Sequence, residues 1–375
     1  MIPYGHQSID KEDIDAVVDA LGSDCLTQGE RVTRFEKDLA DYCGAKYAVV
    51  VSNGTAALHS AFVAVGIGSG DEFITTSLTF VATSNVGVWQ GARPVFVDID
   101  PTTGNMDISK IEEKITDKTK AIVPIDYTGR PVDLEKIKEI ADRYNLKVIE
   151  DASQALGASF NGRKVGSISD LSTFSFHPVK NITTGEGGAI LTDNEEYYKK
   201  MKRFITHGII KENLDKNLGA WYFDMVELGL NYRLPDFACA LGIRQLSKLN
   251  LFLQKRKKIV EKYDEAFLDF DNIITPVKDD EIYKSAWHLY TIRLKENLVS
   301  KKVAIFDKLR AEGIGVQVHH IPVHMHTFYK NLGYTSDGLE QTEKWYNSVI
   351  SLPLYPDLTE DEQKKVIEKV KAIVV

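Results

Sequence analysis

Between residues 48 and 191 short apolar runs bounded by turns alternate with stretches of helical spacing, without an internal sequence repeat. That alternation limits the possible folds more than any other feature. Ala48-Val49-Val50-Val51 leads through Ser52-Asn53-Gly54 into a helix that starts at Thr55. Strand-like runs over 72–76, 94–98, 121–125 and 147–150 alternate with helical spacing over 81–89, 108–115 and 134–144. Runs over 171–176 and 189–191 complete a set of seven strands. Strands that are apolar throughout leave no face for water. They therefore predict an α/β fold with a seven-stranded, mostly parallel sheet covered by helices on both faces.

Two amphipathic helices, over 9–21 and 32–42, precede the alternation, with a loop over 25–29 between them. After Leu234 the pattern changes to a long helix over 235–251 and a charged helical region over 254–268. Strand-like runs over 287–294 and 315–319 follow, with helices over 303–311 and 360–372. The chain thus divides into a large domain over 1–245 and a smaller α+β domain over 246–375, each of ordinary domain size. Composition agrees with a globular enzyme-sized protein: 43% hydrophobic and 27% charged residues exclude a disordered chain or a fibre. A net charge of −8 argues against nucleic acid or an anionic membrane as partner. No apolar run approaches the roughly 20 residues that cross a bilayer, and the start lacks the pattern of a signal peptide. Three distant cysteines, Cys25, Cys43 and Cys239, offer neither a metal spacing nor a disulfide framework. This points to the cytoplasm, with Cys239 as a small core residue.

In open α/β sheets ligands collect at the carboxyl ends of the strands, and three features converge there. Asn53-Gly54-Thr55 joins a glycine turn to a helix N-terminus, which favours a phosphate; it also reads as an ordinary strand-to-helix turn with a threonine cap. Asp151 ends a buried strand, where a carboxylate needs a cation or serves as a helix cap. A protonated pyridine nitrogen would be such a cation. Lys180 stands between the strand ending at Phe176 and the glycine-rich 183–188 segment. Burial there would lower its pKa and make it a nucleophile, suited to a Schiff base with pyridoxal phosphate. Gly66, Gly68 and Gly70 lack a dinucleotide spacing and read as a loop before Glu72.

Residues 319–326 hold four of the nine histidines. Without an accompanying cysteine or an H-E-x-x-H helix, and with Pro322 breaking helical pairing, the cluster does not read as a metal site. Hydrogen-bonding roles in a polar pocket are expected for His319 and His320, and surface or hinge positions for His324 and His326.

Five motifs carry a resemblance: S-N-G-T-A-A-L (52–58), E-D-A-S-Q-A-L-G-A (150–158), S-F-H-P-V-K (175–180), G-E-G-G (185–188) and G-L-N-Y-R-L-P-D (229–236). In that order they resemble the DegT/DnrJ/EryC1/StrS family of sugar-nucleotide aminotransferases. F-H-P-V-K-N-I-T-T, D-M-V-E-L-G-L-N-Y-R-L and G-I-G-V-Q-V-H look closest to the branch that aminates a UDP-4-keto-6-deoxy-N-acetylhexosamine toward pseudaminic acid. The resemblance implies the aspartate-aminotransferase-type fold (fold type I), a homodimer with active sites shared between subunits, pyridoxal 5'-phosphate as cofactor and L-glutamate as amino donor. It implies Lys180 and Asp151 as catalytic residues. Gly54, Thr55, Phe80, Gln154, Ser175 and Asn231 would join them in cofactor binding, with Asn231 supplied by the other subunit. Tyr4, Leu26, Thr27, Asn53, His319 and His320 would contact the UDP-keto-sugar. Asn53 and His320 depart from that branch, which often has serine and usually tyrosine at these places. A UDP- or dTDP-sugar aminated at C3 or C4 is the alternative. A dehydratase is disfavoured because Lys180 stands where that branch has histidine. A non-catalytic ligand- or metal-binding role on the same scaffold is more remote.

Overall fold

A computed structural model describes residues 1–211 and 218–375. The central sheet is built from β1 (Tyr47–Val51), β2 (Glu72–Thr76), β3 (Arg93–Val97), β4 (Thr119–Val123), β5 (Lys147–Asp151), β6 (Leu171–Ser175) and β7 (Gly188–Thr192). Their spatial order is β1-β7-β6-β5-β4-β2-β3. Neighbours from β6 to β3 are parallel, whereas β7 runs antiparallel to both β6 and β1.

Side-chain alternation along each strand supplies both faces. Val49, Val51, Phe73, Val123, Ile149 and Ile190 pack on the helices Gly54–Val65, Ala82–Trp89 and Glu195–Phe204. From the opposite face, Ala48, Val50, Phe174 and Leu191 meet Phe35, Leu39 and Leu249, while Ile74, Ile122 and Val148 meet Leu134 and Ile137. Double coverage explains why the strands read as continuous apolar runs. Cys239 is fully buried in the second of these cores, as its apolar surroundings predict.

The 235–251 and 254–268 segments form one helix, Asp236–Ala266. Up to Phe252 its buried side chains belong to the large sheet's core, and from Ile259 onward to a second core. That second core packs around a three-stranded antiparallel sheet of Ile273–Ile274, Tyr290–Leu294 and Val349–Leu352, covered by the helices Lys302–Ala311 and Glu360–Ile373.

Two expectations are corrected and one helix is added. The 108–115 segment forms two short 3-10 turns, Ile108–Lys110 and Glu112–Lys114, with only Ile111 fully buried, too little apolar surface to hold a helix against the sheet. The 315–319 run is not a strand. The chain start occupies its neighbour's place, with Ile2 hydrogen-bonded to Gly313 and Gly315, and only Gln317 bridges to Ser351. Helix Glu195–Phe204 has no counterpart in the sequence reading, because only Met201 and Phe204 of its ten residues are buried. No helix among the described residues is long and apolar enough to cross a membrane.

Candidate active site

Because β1, β2, β4, β5 and β6 run the same way, Val51, Thr76, Val123, Asp151 and Ser175 open on one edge of the sheet. The rim is built there.

At β1 the chain turns into the helix Gly54–Val65. Its N-cap is Asn53, not a threonine: the Asn53 Oδ1 accepts the Ala56 N–H at 2.8 Å. The first-turn residues Gly54 and Thr55 are left accessible, with amide N–H groups that the helix itself cannot satisfy. Glycine is required by a close approach. A Cβ at Gly54 would stand 2.9 Å from the Ser175 Cβ and 3.2 Å from its Oγ. The Ser175 hydroxyl, from the end of β6, therefore lies against the first turn of this helix.

Asp151 is 6% exposed. Its Oδ2 accepts the Thr83 hydroxyl at 2.6 Å and its Oδ1 the Ser153 N–H at 3.2 Å. Thr83 lies in the first turn of the helix Ala82–Trp89 and was not singled out from sequence; its place three residues after Phe80 is the available signal. These two donors fix the carboxylate at the strand end beside the rim.

Lys180 follows a tight turn in which its N–H donates to the His177 carbonyl at 2.9 Å. The residue is half-buried, and burial lowers its pKa to about 8, with nearby Asp151 opposing the shift. An amine near neutrality is a competent nucleophile. Its neighbour Asn181 is anchored through Nδ2 to the Ala286 carbonyl at 2.7 Å, tying the lysine turn to the segment leading into Tyr290–Leu294.

Phe80 is 59% exposed and lies 5.9 Å from the His320 ring, centroid to centroid. Gln154 is buried; its Oε1 accepts the Thr128 N–H at 2.8 Å, which turns its amide nitrogen toward the His320 Nε2, 3.5 Å away. Thr128 and Gly129 take positive φ values of 62° and 95°. At Gly129 a Cβ would meet the Gln154 carbonyl at 2.6 Å, so the close approach that orients Gln154 depends on glycine there.

His319 is buried, its Nδ1 2.8 Å from the Ser351 Oγ and its ring 5.2 Å from that of Tyr4. Burial, reinforced by Lys180, lowers its pKa to about 3; His320 is likewise held well below its ordinary value by burial, His319 and Lys180. Both rings are neutral hydrogen-bonding groups. His288, which the sequence did not mark, joins them. It is buried, its Nδ1 has no hydrogen-bond partner, and burial followed by Lys180 and Arg256 keeps it neutral. No local pattern distinguishes it in A-W-H-L-Y; the fold alone brings it here.

His324 is a correction. Instead of a surface or hinge position it is 1% exposed, with its Nδ1 2.7 Å from the Ser77 Oγ and its Nε2 3.3 Å from Glu343. It pins the 320s loop to the end of β2, beside Phe80. His326 is partly exposed, and no cluster of metal-ligating side chains occurs among the described residues.

The remaining expected residues lie elsewhere in the chain. Leu26 and Thr27 are exposed and tied to the start of the long helix, through the Asp236 N–H to the Leu26 carbonyl and a bridge from Thr27 to Pro235. Asn231 is exposed and its backbone pairs with Thr206. The rim thus gathers Lys180, Asp151, Gln154, Phe80, Gly54, Thr55, Ser175, His319, His320 and Tyr4, and leaves Leu26, Thr27 and Asn231 on exposed segments.

Comparison with known proteins gives this geometry a family. The DegT/DnrJ/EryC1/StrS aminotransferase family signature matches residues 7–371. The chain is 42% identical to the UDP-4-amino-4,6-dideoxy-N-acetyl-beta-L-altrosamine transaminase of Campylobacter jejuni, over 99% of each chain. Its fold superposes on Helicobacter pylori PseC, an aminotransferase involved in the biosynthesis of pseudoaminic acid, with a TM-score of 0.94 at 35% identity, covering 100% of this chain and 99% of the other. A Streptococcus pneumoniae protein described as a sugar aminotransferase, solved in its PLP-form, matches with a TM-score of 0.94 at 31% identity, over 100% of this chain and 98% of that one. The α/β fold is the one these aminotransferases share. The chain belongs to the DegT/DnrJ/EryC1/StrS aminotransferase family and is a pyridoxal-phosphate-dependent aminotransferase.

Proposed function

We propose that this enzyme moves the amino group of L-glutamate to C4 of a UDP-4-keto-6-deoxy-N-acetylhexosamine, the nucleotide-sugar chemistry of pseudaminic acid synthesis. The observation that carries the reading is a part-buried lysine amine facing a carboxylate across a rim that also holds a glycine-opened helix N-terminus. The similarity to the Campylobacter jejuni transaminase supports the sugar.

The residues fit the cofactor. The first-turn N–H groups at Gly54 and Thr55, with the Ser175 hydroxyl packed against Gly54, suit a phosphate. The exposed Phe80 ring would offer a stacking face, and the Gln154 side chain, held by Thr128, would supply an amide donor on the ring-hydroxyl side. When bound, pyridoxal phosphate supplies an electron sink that carries the amino group from donor to acceptor. Lys180 would hold the cofactor and, once free, would move the proton at the substrate carbon. Asp151 would face the ring nitrogen, with Thr83 fixing its orientation. Tyr4, His319 and His320, all uncharged, line the side from which the sugar enters, with Asn53 beside the phosphate; Leu26 and Thr27 contact the sugar nucleotide.

The enzyme works as a cytoplasmic homodimer with shared sites. Support comes from the exposed apolar side chains of 218–230, among them Trp221 (83%), Met225 (60%) and Leu228 (84%), which call for a covering surface. Asn231 follows them and completes the partner's phosphate site. A second reading, a different UDP- or dTDP-keto-sugar aminated at C3 or C4, is favoured by His320, which replaces the usual tyrosine of the branch beside Gln154 and Phe80. Incubation of the purified enzyme with glutamate and a panel of keto-sugar nucleotides, followed by product mass and NMR assignment, tests the choice. Turnover of the UDP-4-keto-6-deoxy-N-acetylhexosamine in preference to the rest is expected; preference for a 3-keto or dTDP substrate overturns it.

A further inference from the structure

Behind Asp151 lies a second pair of carboxyls for which amino transfer, as described, has no role. Glu150 precedes Asp151 on β5, and Asp126 sits just past the end of β4; neither exposes any surface. The Asp126 N–H donates to the Asp151 carbonyl at 3.2 Å, and Ile125 pairs with Asp151 in a parallel bridge, so the pair is bolted to the strand end that carries Asp151. The two side chains are within hydrogen-bonding reach of one another.

Each carboxyl has one served oxygen and one orphan. The Asp126 Oδ1 accepts the Val132 N–H at 3.0 Å. The Glu150 Oε2 accepts the hydroxyls of Ser172 at 2.5 Å and Ser169 at 3.0 Å. The Asp126 Oδ2 and Glu150 Oε1 find no N–H or O–H donor. Two ionised carboxylates facing each other in a buried site, with Asp151 as a third, would repel strongly, and each orphan oxygen would pay the full cost of lost hydration. A single proton between the two orphans removes both penalties.

We propose that Asp126 and Glu150 share one proton, so that a buried pair of net charge −1 stands behind Asp151 and raises the proton affinity of the cofactor's ring nitrogen. The second half of this proposal rests on Asp151 facing that nitrogen; the first does not. Two hydroxyl donors favour the ionised form of Glu150, which leaves the proton on Asp126, donated from Oδ2 to the Glu150 Oε1. Burial, followed by Glu150 in its effect on Asp126, pushes that carboxyl well above the ordinary range, and burial raises Glu150 as well. From the helix Glu30–Cys43 packed behind, Cys43 faces Glu150, but burial pushes its thiol up to about 12, so it adds no charge. Asp151 faces the pair from the rim side and Lys180 lies beyond it. The pair therefore extends the negative field behind Asp151 without presenting two adjacent buried anions.

The charge count gives a test that separates electrostatics from damage. Asp126→Asn and Glu150→Gln each replace the shared proton by a permanent amide donor and keep the net charge at −1, whereas the double variant removes it. In apo-protein labelled with 13C-carboxyl aspartate and glutamate, infrared spectra at about pH 7, roughly three units above ordinary carboxyl values, should show a protonated-carboxyl stretch that is absent from both single variants. With cofactor labelled with 15N at the ring nitrogen bound, the pH midpoint of its NMR shift should be unmoved in the singles and about one unit lower in the double variant, a tenfold loss of proton affinity. Absence of the protonated-carboxyl stretch from the wild-type protein, or its survival in both singles, overturns the shared proton. An unmoved midpoint in a folded double variant overturns the field effect. Asp151→Asn is the control for the underlying reading: if it leaves the cofactor spectrum unchanged, the ring-nitrogen assignment fails while the infrared result on the apo-protein still stands.

Discussion

Two regions of the molecule handle polar and apolar groups in opposite ways. Around Lys180 the side chains arrive with partners from the same chain: Asp151 with Thr83 and Ser153, Gln154 with Thr128, His319 with Ser351, His324 with Ser77 and Glu343. The 218–230 segment is held through its backbone, by pairing of Asp224–Met225 with Ile209–Ile210 and by the Val226 and Leu230 N–H groups on the Gly208 and Phe204 carbonyls, and by Arg203 on Glu227, yet it leaves Trp221, Met225 and Leu228 mostly in water. The first region is organised by one chain. The second exposes a contiguous run of large apolar side chains, the surface on which the proposed second subunit would sit.

The largest effect that sharpens this contrast comes from combining the two regions. Lys180→Ala should lower amino transfer on the order of 10^4-fold, because the proposed proton mover is lost, measured as single turnover with glutamate. Asn231→Ala should weaken cofactor retention. Mixed after subunit exchange, the two variants should regain activity, since hybrid dimers hold one site with both residues intact. No recovery despite verified exchange would make the site a single-chain property. A smaller effect is expected from Trp221→Ser with Leu228→Ser. Sedimentation should show dissociation at concentrations where the wild type is dimeric, with weaker cofactor retention but unchanged far-UV circular dichroism. A variant that stays dimeric would mean that this surface has another use.

The smallest predicted effect concerns Lys180 in the apo-protein. Its pKa is lowered to about 8, by burial first, so below that value the folded state holds a cation that the unfolded chain solvates better. Between the folded value and the unfolded value of about 10.4 the unfolded state binds more protons, and stability rises with pH. Lys180→Met should therefore stabilise the apo-protein by on the order of 1–3 kcal/mol at neutral pH, with the gain shrinking as pH approaches 10. Denaturant titrations across that range would show it, and a pH-independent difference would point to packing instead of charge.

Much of this was legible in the chain. β2 and β5 occupy the spans read from apolar runs, because strands covered on both faces leave their signature in every residue. The lysine turn and Asp151 stood out because Lys180 and an acid at a strand end contradict their apolar surroundings. Helix Glu195–Phe204 escaped notice because it touches the core through so few side chains that its pattern is mostly charge. His324 escaped because its neighbours Ser77 and Glu343 are distant in sequence, and nothing local distinguishes a pinned histidine from a solvated one.

The sequence by itself determined the alternation of strand and helix, the edge at which ligands gather and the family to which the chain belongs. These follow from periodicities and motifs, properties of neighbouring residues. The tertiary structure alone decided that Asn53 caps its helix, that Thr128 orients Gln154, that His288 joins the rim, and that Asp126 meets Glu150 behind Asp151. Hydrogen bonds and desolvation act over a few ångströms, and only folding brings such residues within that distance.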